Sequence, residues 1–97
     1  MTRLDPVHPG EVLKHDFMDP LGLSATALAG AIGVTPARIS EIVRGRRGIT
    51  AETALRLARY FGTDARSWTS LQDRYELEVA EREAGTAFDA IRPGEAG

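Results

Sequence analysis

Four arginines, Arg38, Arg44, Arg46 and Arg47, fall within ten residues of one another and enclose Ser40 and Glu41. A guanidinium keeps its charge at physiological pH and presents a planar fork of donors that matches phosphate oxygens and the O6/N7 edge of guanine. A serine hydroxyl among such forks can form directional hydrogen bonds to base edges, as Arg44 can. The group suits recognition of a polyanion, with no bond made or broken. The chain has no cysteine and no G-x-x-x-x-G-K-[ST] phosphate loop. Its two histidines, His8 and His15, lack a second ligand set, so no enzyme activity, metal or cofactor is expected. Glu76, Glu78, Glu81 and Glu83 resemble paired carboxylates, but a solvated helix face accounts for them.

Side chains that read a groove need a short helix, held firmly, with a bare outer face. Residues 25–47, ATALAGAIGVTPARISEIVRGRR, have that form. Two helices that meet through a tight turn need a small residue at the crossing, which Ala29 supplies, and a left-handed backbone at the turn, which Gly33 adopts without a Cβ clash. Thr35 caps the next helix and Pro36 stands in its first turn, where a missing N–H costs nothing. With Ile39, Ile42 and Val43 inward, a rotation of about 100° per residue turns Ala37, Ser40, Glu41 and Arg44 outward and leaves Arg38 on the flank. The candidate DNA-contacting set is thus Thr35, Ala37, Arg38, Ser40, Glu41, Arg44, Arg46 and Arg47. Arg46 and Arg47, on the loop beyond the helix, are placed for phosphates.

The formal net charge is −2, yet it is unevenly spread. Residues 38–59 carry six arginines against Glu41 and Glu52, while residues 60–97 carry four arginines against eight acids. Local, not total, charge decides whether a surface attracts DNA.

The remaining pattern reads as helices around one small core. Residues 1–8 show no periodicity and are expected to be a loose arm, with His8 in a surface or capping role. A first helix spans roughly 10–19 with Leu13 and Phe17 inward, a second 25–32 capped by Ser24, a third 36–44, and a fourth 51–61 capped by Thr50 and stopped by Gly62. Thr63 can cap a fifth over about 64–83, in which Trp68, Leu71, Tyr75 and Val79 form one stripe. That stripe is core or, in part, a dimer interface, with Leu77, Phe88 and Ile91 as the alternative contact. A chain of 97 residues buries only about 60–65% of its unfolded surface, which favours a dimer. Residues 9–84 form the domain, and 85–97, with three glycines and a proline, a flexible tail. Residues 1–10 lack the apolar core of a signal peptide and no run approaches the eighteen or so apolar residues of a membrane span, so a cytoplasmic location without membrane contact is expected.

HPGEVL, the PLGLS lead-in to the second helix, the Gly33 turn, RISEIVRGRRGIT, ETALRLARYFGT and the Trp68…Leu71-Gln72…Tyr75 run cover roughly residues 8–83. In that order they resemble the HigA-type antitoxins, a group within the wider helix-turn-helix (XRE) family that includes the phage repressors. The resemblance implies an all-α, five-helix phage-repressor-like helix-turn-helix domain and a homodimer that represses its own operon by binding palindromic operator DNA. It also implies a partner, a HigB-type toxin that is a ribosome-dependent messenger-RNA ribonuclease, which the antitoxin neutralises. Arg38, Ser40, Arg44, Arg46 and Arg47 match in place the family's DNA-contacting segment and inherit that role. The same residues would serve the alternative, a stand-alone helix-turn-helix repressor without a toxin partner. The ending after Glu83 matches no family motif.

Overall fold

The computed structural model describes residues 5–94; the first four residues of the expected arm and the last three of the expected tail lie outside the described residues. Five helices run through it. α1 covers residues 9–21, α-helical over Pro9–Val12, π-helical over Leu13–Met18 and α-helical again over Asp19–Leu21. α2 is Ala25–Ile32, α3 Pro36–Val43, α4 Ala51–Phe61 and α5 Ala65–Ala84, followed by a 3-10 turn at Ala87–Ala90. Among the described residues there is no strand, and no helix is long and apolar enough to cross a membrane.

The expected caps are in place at three helices: Ser24, Thr35 and Thr50 accept the backbone N–H groups of Ala27, Arg38 and Thr53. Gly33 takes φ 78° and ends α2 as the periodicity requires. Two expectations shift. α1 was expected as an ordinary helix, but the Asp19 N–H reaches back five residues to the Lys14 carbonyl. Pro20 follows directly, and a proline inside a helix crowds the preceding turn, which a widened turn relieves. α5 is capped by Asp64, whose carboxylate accepts the Arg66 N–H at 3.2 Å, and not by Thr63. The Thr63 hydroxyl instead accepts from Trp68 Nε1 at 2.9 Å, satisfying the polar end of a buried indole.

The core lies between α1, α2, α3 and α4 and is closed by the first half of α5. Leu13, Leu28, Ala29, Ile39, Ile42, Ala54 and Leu57 are fully buried in it, with Met18, Ile32, Ile49 and Trp68 nearly so. Phe17 packs on Trp68 and Phe61 with ring centroids 4.9 and 5.0 Å apart, tying α1 to α5 and α4. Each fully buried aliphatic side chain stabilises the fold by about 1.5–3 kcal/mol. Ile39 and Ile42 anchor α3 in this way without drawing on its outer face.

The start of α1 meets the end of α3 backbone to backbone. Gly10 lies so close to the Ile42 carbonyl that a Cβ at residue 10 would overlap it. His8, expected in a loose arm, is 6% exposed. Its Nδ1 caps α1 by accepting the Gly10 N–H at 2.8 Å, and its ring meets Tyr75 of α5 edge-on at 4.7 Å. Further along, Arg82 donates to Asp5 at 2.9 Å, so the described residues before α1 are held to α5.

Two predictions concern this junction. Gly10→Ala forces a methyl group against the Ile42 carbonyl and should cost about 1–3 kcal/mol, a fall in Tm of at least about 4 °C for a domain of this size. A melting curve matching wild type would place the contact elsewhere. Burial holds the His8 imidazole below its ordinary value of 6.5, outweighing the opposite pull of the Glu11 carboxylate. The unfolded chain then binds more protons than the folded one below about pH 6.5, and protonation also removes the Nδ1 acceptor. Stability should be full above that pH and fall as pH drops through the depressed folded value. Thermal melts between about pH 7.5 and 5 check this: His8→Asn, which keeps a capping acceptor but does not titrate, should flatten the decline.

Candidate nucleic-acid interface

α3 is eight residues long, one fewer than expected, because Arg44 is its C-cap and Gly45 follows at φ 76°. The outer face comes out as its periodicity requires. Thr35, Ala37 and Arg44 are exposed, while Arg38, Ser40 and Glu41 are half-buried, Arg38 and Ser40 toward the flanks and Glu41 against Arg47 of the exit loop. The Thr35 hydroxyl accepts the Arg38 N–H at 3.1 Å, which leaves its own hydrogen to donate outward.

Three neighbourhoods divide this face. On one side Ser40 and Arg44 line a crease of about 200 Å³ together with Lys14 of α1 and Ser24 at the start of α2. On the other, Arg38 reaches Glu52 of α4 at 3.5 Å, and Glu52 is shared with Arg56 at 3.4 Å. At the end of α3, Glu41 accepts from Nε of Arg47 at 2.8 Å, folding the exit loop back over the helix. Arg44 and Arg46 are exposed and, among the described residues, take part in no ion pair.

Not every arginine of the basic segment is available to a partner. Arg56 donates through Nη1 to the Ile32 carbonyl at 2.8 Å and so satisfies the last turn of α2 from α4. This contact is structural and leaves Arg44, Arg46 and Arg47 as the cationic rim of α3.

The exit loop is held from beneath by a residue that periodicity alone did not single out. Gln72 of α5 is buried; its Oε1 accepts the Ile49 N–H at 2.8 Å and its Nε2 donates to Glu76 at 2.8 Å. Gly48 passes directly over it, and a Cβ there would stand 2.8 Å from Gln72 Nε2. The signal was in the sequence: position 72 falls one turn after Trp68 on the inward side of α5, and a polar residue on an inward stripe needs a partner. Lys14, whose Nζ pairs with Asp19 at 2.9 Å, and Ser24 border the crease from α1 and the start of α2, outside the stretch whose spacing singled out the face.

The stripe Trp68, Leu71, Tyr75 and Val79 turns toward the domain. Trp68 is 2% exposed and bound to Thr63, so it is core and cannot meet a second protomer. Leu71 packs half-buried against the core, Tyr75 lies on His8, and Val79 is half-buried. The exposed apolar groups of this region are Leu77, Phe88 and Ile91. Of the histidines, His8 is a cap and His15 lies 3.3 Å from Asp19; among the described residues no group of acids and histidines could hold a metal ion.

Comparison with known proteins agrees with this geometry. The helix-turn-helix family profile matches residues 15–68. Virulence-associated protein I of Dichelobacter nodosus is 58% identical over 82 residues, 84% of this chain and 76% of that protein. Antitoxin HigA-1 of Vibrio cholerae is 36% identical over 76 residues, 78% of this chain and 71% of that one. Among solved structures, the Pseudomonas aeruginosa antitoxin HigA with the higBA promoter superposes with a TM-score of 0.88 at 42% identity, covering 91% of this chain and 97% of that one.

The face predicts a division of labour that alanine variants separate. Arg44→Ala should relax the preference at one base pair of a favoured DNA site, at a cost of about 1–3 kcal/mol. Arg46→Ala should weaken favoured and random duplexes alike and reduce the salt slope by about one. Fluorescence anisotropy titrations over a salt series check both; identical behaviour of the two variants would refute the division.

Proposed function

The chain belongs to the helix-turn-helix family, in its HigA-type group, and from that premise we propose that it is an antitoxin that binds the promoter of its own operon as a homodimer and neutralises a HigB-type toxin. The observation that carries the DNA half of this reading is the rim of exposed Arg44 and Arg46, in no ion pair among the described residues, beside an outer α3 face that carries no bulky apolar group. The toxin half rests on the family. The reading assigns binding and no catalysis, and a protein that represses a bacterial promoter works in the cytoplasm.

One α3 of eight residues spans too few base pairs to select a site. Two copies about 34–36 Å apart, one turn of DNA, read two half-sites, and palindromic operators suit a two-fold dimer. α5 supports such a dimer. The chain has a radius of gyration of 16.5 Å, against about 12–13 Å for a compact domain of its length. Leu77 is 64% exposed, and Phe88 and Ile91 beyond it 58% and 68%. With Trp68 committed to the core, we assign the dimer contact to Leu77, Phe88 and Ile91.

The decisive experiment pairs two readouts, one on the purified chain and one in cells. The chain should bind its own upstream DNA in preference to a shuffled duplex, and its co-expression should relieve growth arrest by the HigB-type toxin; DNA binding without relief would leave a stand-alone repressor. For assembly, Leu77→Glu should convert a dimer into a monomer in light scattering at micromolar concentration while leaving the far-UV circular dichroism unchanged. A dimer that survives Leu77→Glu but not Val79→Glu would return the contact to the inward stripe.

A further inference from the structure

Glu41 is the anomaly of the outer face. With the inward direction of α3 fixed by Ile39, Ile42 and Val43, Ala37, Glu41 and Arg44 lie within about 35° of the centre of the opposite side, closer than Ser40 or Arg38. The Ala37 side chain carries no polar atom, so the outward centre of α3 is shared by the Arg44 guanidinium and the Glu41 carboxylate, the latter held by Arg47. Negative charge is repelled by the phosphates that line a groove on either side, and the repulsion is the same for every sequence. It is offset only where a base edge offers a donor. In the major groove the exposed donors are the amino groups of cytosine and adenine; adenine carries an N7 acceptor beside its own, whereas cytosine itself carries only the N4 donor on that edge, the group a carboxylate accepts from.

The ion pair of Glu41 adds a second element. Its Oε1 is 2.8 Å from Arg47 Nε, and the two side chains are 44% and 48% exposed. A pair this open to solvent is weak and readily exchanged. While it lasts it neutralises one of the three arginines that rim α3.

We propose that Glu41 is a specificity-determining residue: it holds Arg47 in the free protein and on random DNA, and releases it to a phosphate when a cytosine amino group in the major groove takes Arg47's place. The exchange rests on the DNA-binding reading above and adds to it a source of discrimination. A matched site gains a base contact and a phosphate contact together; an unmatched site gains neither and keeps the carboxylate's repulsion.

The test compares wild type, Glu41→Gln and Glu52→Gln on three duplexes: the site selected by wild type from a random pool, that site with its C·G pairs under α3 replaced, and a random sequence. Glu52→Gln makes the same change in charge and frees Arg38, but places no group at the centre of the face. Anisotropy titrations over a salt series are expected to show Glu41→Gln binding random DNA at least threefold tighter, with a salt slope steeper by about one per half-site. Its preference for the selected site should fall at least tenfold and become indifferent to the replaced pairs, whereas Glu52→Gln should keep its preference within threefold of wild type. Glu41→Ala should repeat the Glu41→Gln result, with circular dichroism melts confirming that both variants fold. If Glu41→Gln weakened all three duplexes in proportion, Glu41 would merely brace Arg47 against phosphate and the proposal would be overturned. A preference unchanged within threefold would overturn it as well. A wild-type chain that bound all three duplexes alike would overturn the DNA-reading function itself, and this inference with it.

Discussion

The approach of Gly10 to the Ile42 carbonyl is the constraint on which the rest of the molecule depends. It brings two helix backbones nearer than any side chain permits and thereby fixes where α3 ends relative to α1. From that point the exit loop begins, and each group that secures it lies within a few residues of the contact or directly across from it. His8 caps α1 at one side of the junction, Tyr75 closes over the His8 ring, and Gln72 takes the Ile49 N–H at the far end of the loop. All of these bonds lie on the inner side of α3 and its loop. The outer side is left free for a partner, which is what separates a recognition helix from one that only covers a core.

Much of the helical frame was legible because local rules agreed with one another. Ser24, Thr35 and Thr50 each precede an apolar stripe of helical period, and Gly33 and Gly62 end the stripes that precede them, so the bounds of α2 and α4 could be read to the residue. What was not legible depended on contacts between distant residues. The π turn of α1 arises beside Pro20, and whether a proline ends a helix or widens it is decided by what the far side packs against. The cap at Asp64 in place of Thr63 follows from the demand of the Trp68 indole for an acceptor.

The site was legible in position but not in its internal pairing. Periodicity turned Ala37 and Arg44 to the side of α3 that is exposed, yet it could not say that Arg56 is spent on the Ile32 carbonyl, that Arg38 is drawn to Glu52, or that Arg47 is held by Glu41. Those pairings join residues 6 to 24 positions apart and exist only once the helices are packed. They also show how a chain of net charge −2 presents a cationic rim: the two acids of residues 38–59, Glu41 and Glu52, are each matched by an arginine, and the other acids lie outside that segment. The removal of Trp68 from the candidate dimer stripe has the same origin. Trp68 and Leu77 look equally apolar in sequence, and only the packed core decides that one is consumed within the protomer while the other stays exposed.

The central claim is that paired α3 helices bind operator DNA through charge and base contacts together. The salt dependence of binding measures this most directly. If each protomer sets at least two arginines against phosphates, a dimer makes four or more such contacts and releases their counterions, so log K against log salt should fall with a slope of about −3.6 or steeper. The same titration on a shuffled duplex should give weaker binding at every salt concentration. A slope near zero, or equal affinity for the two duplexes throughout, would contradict the account.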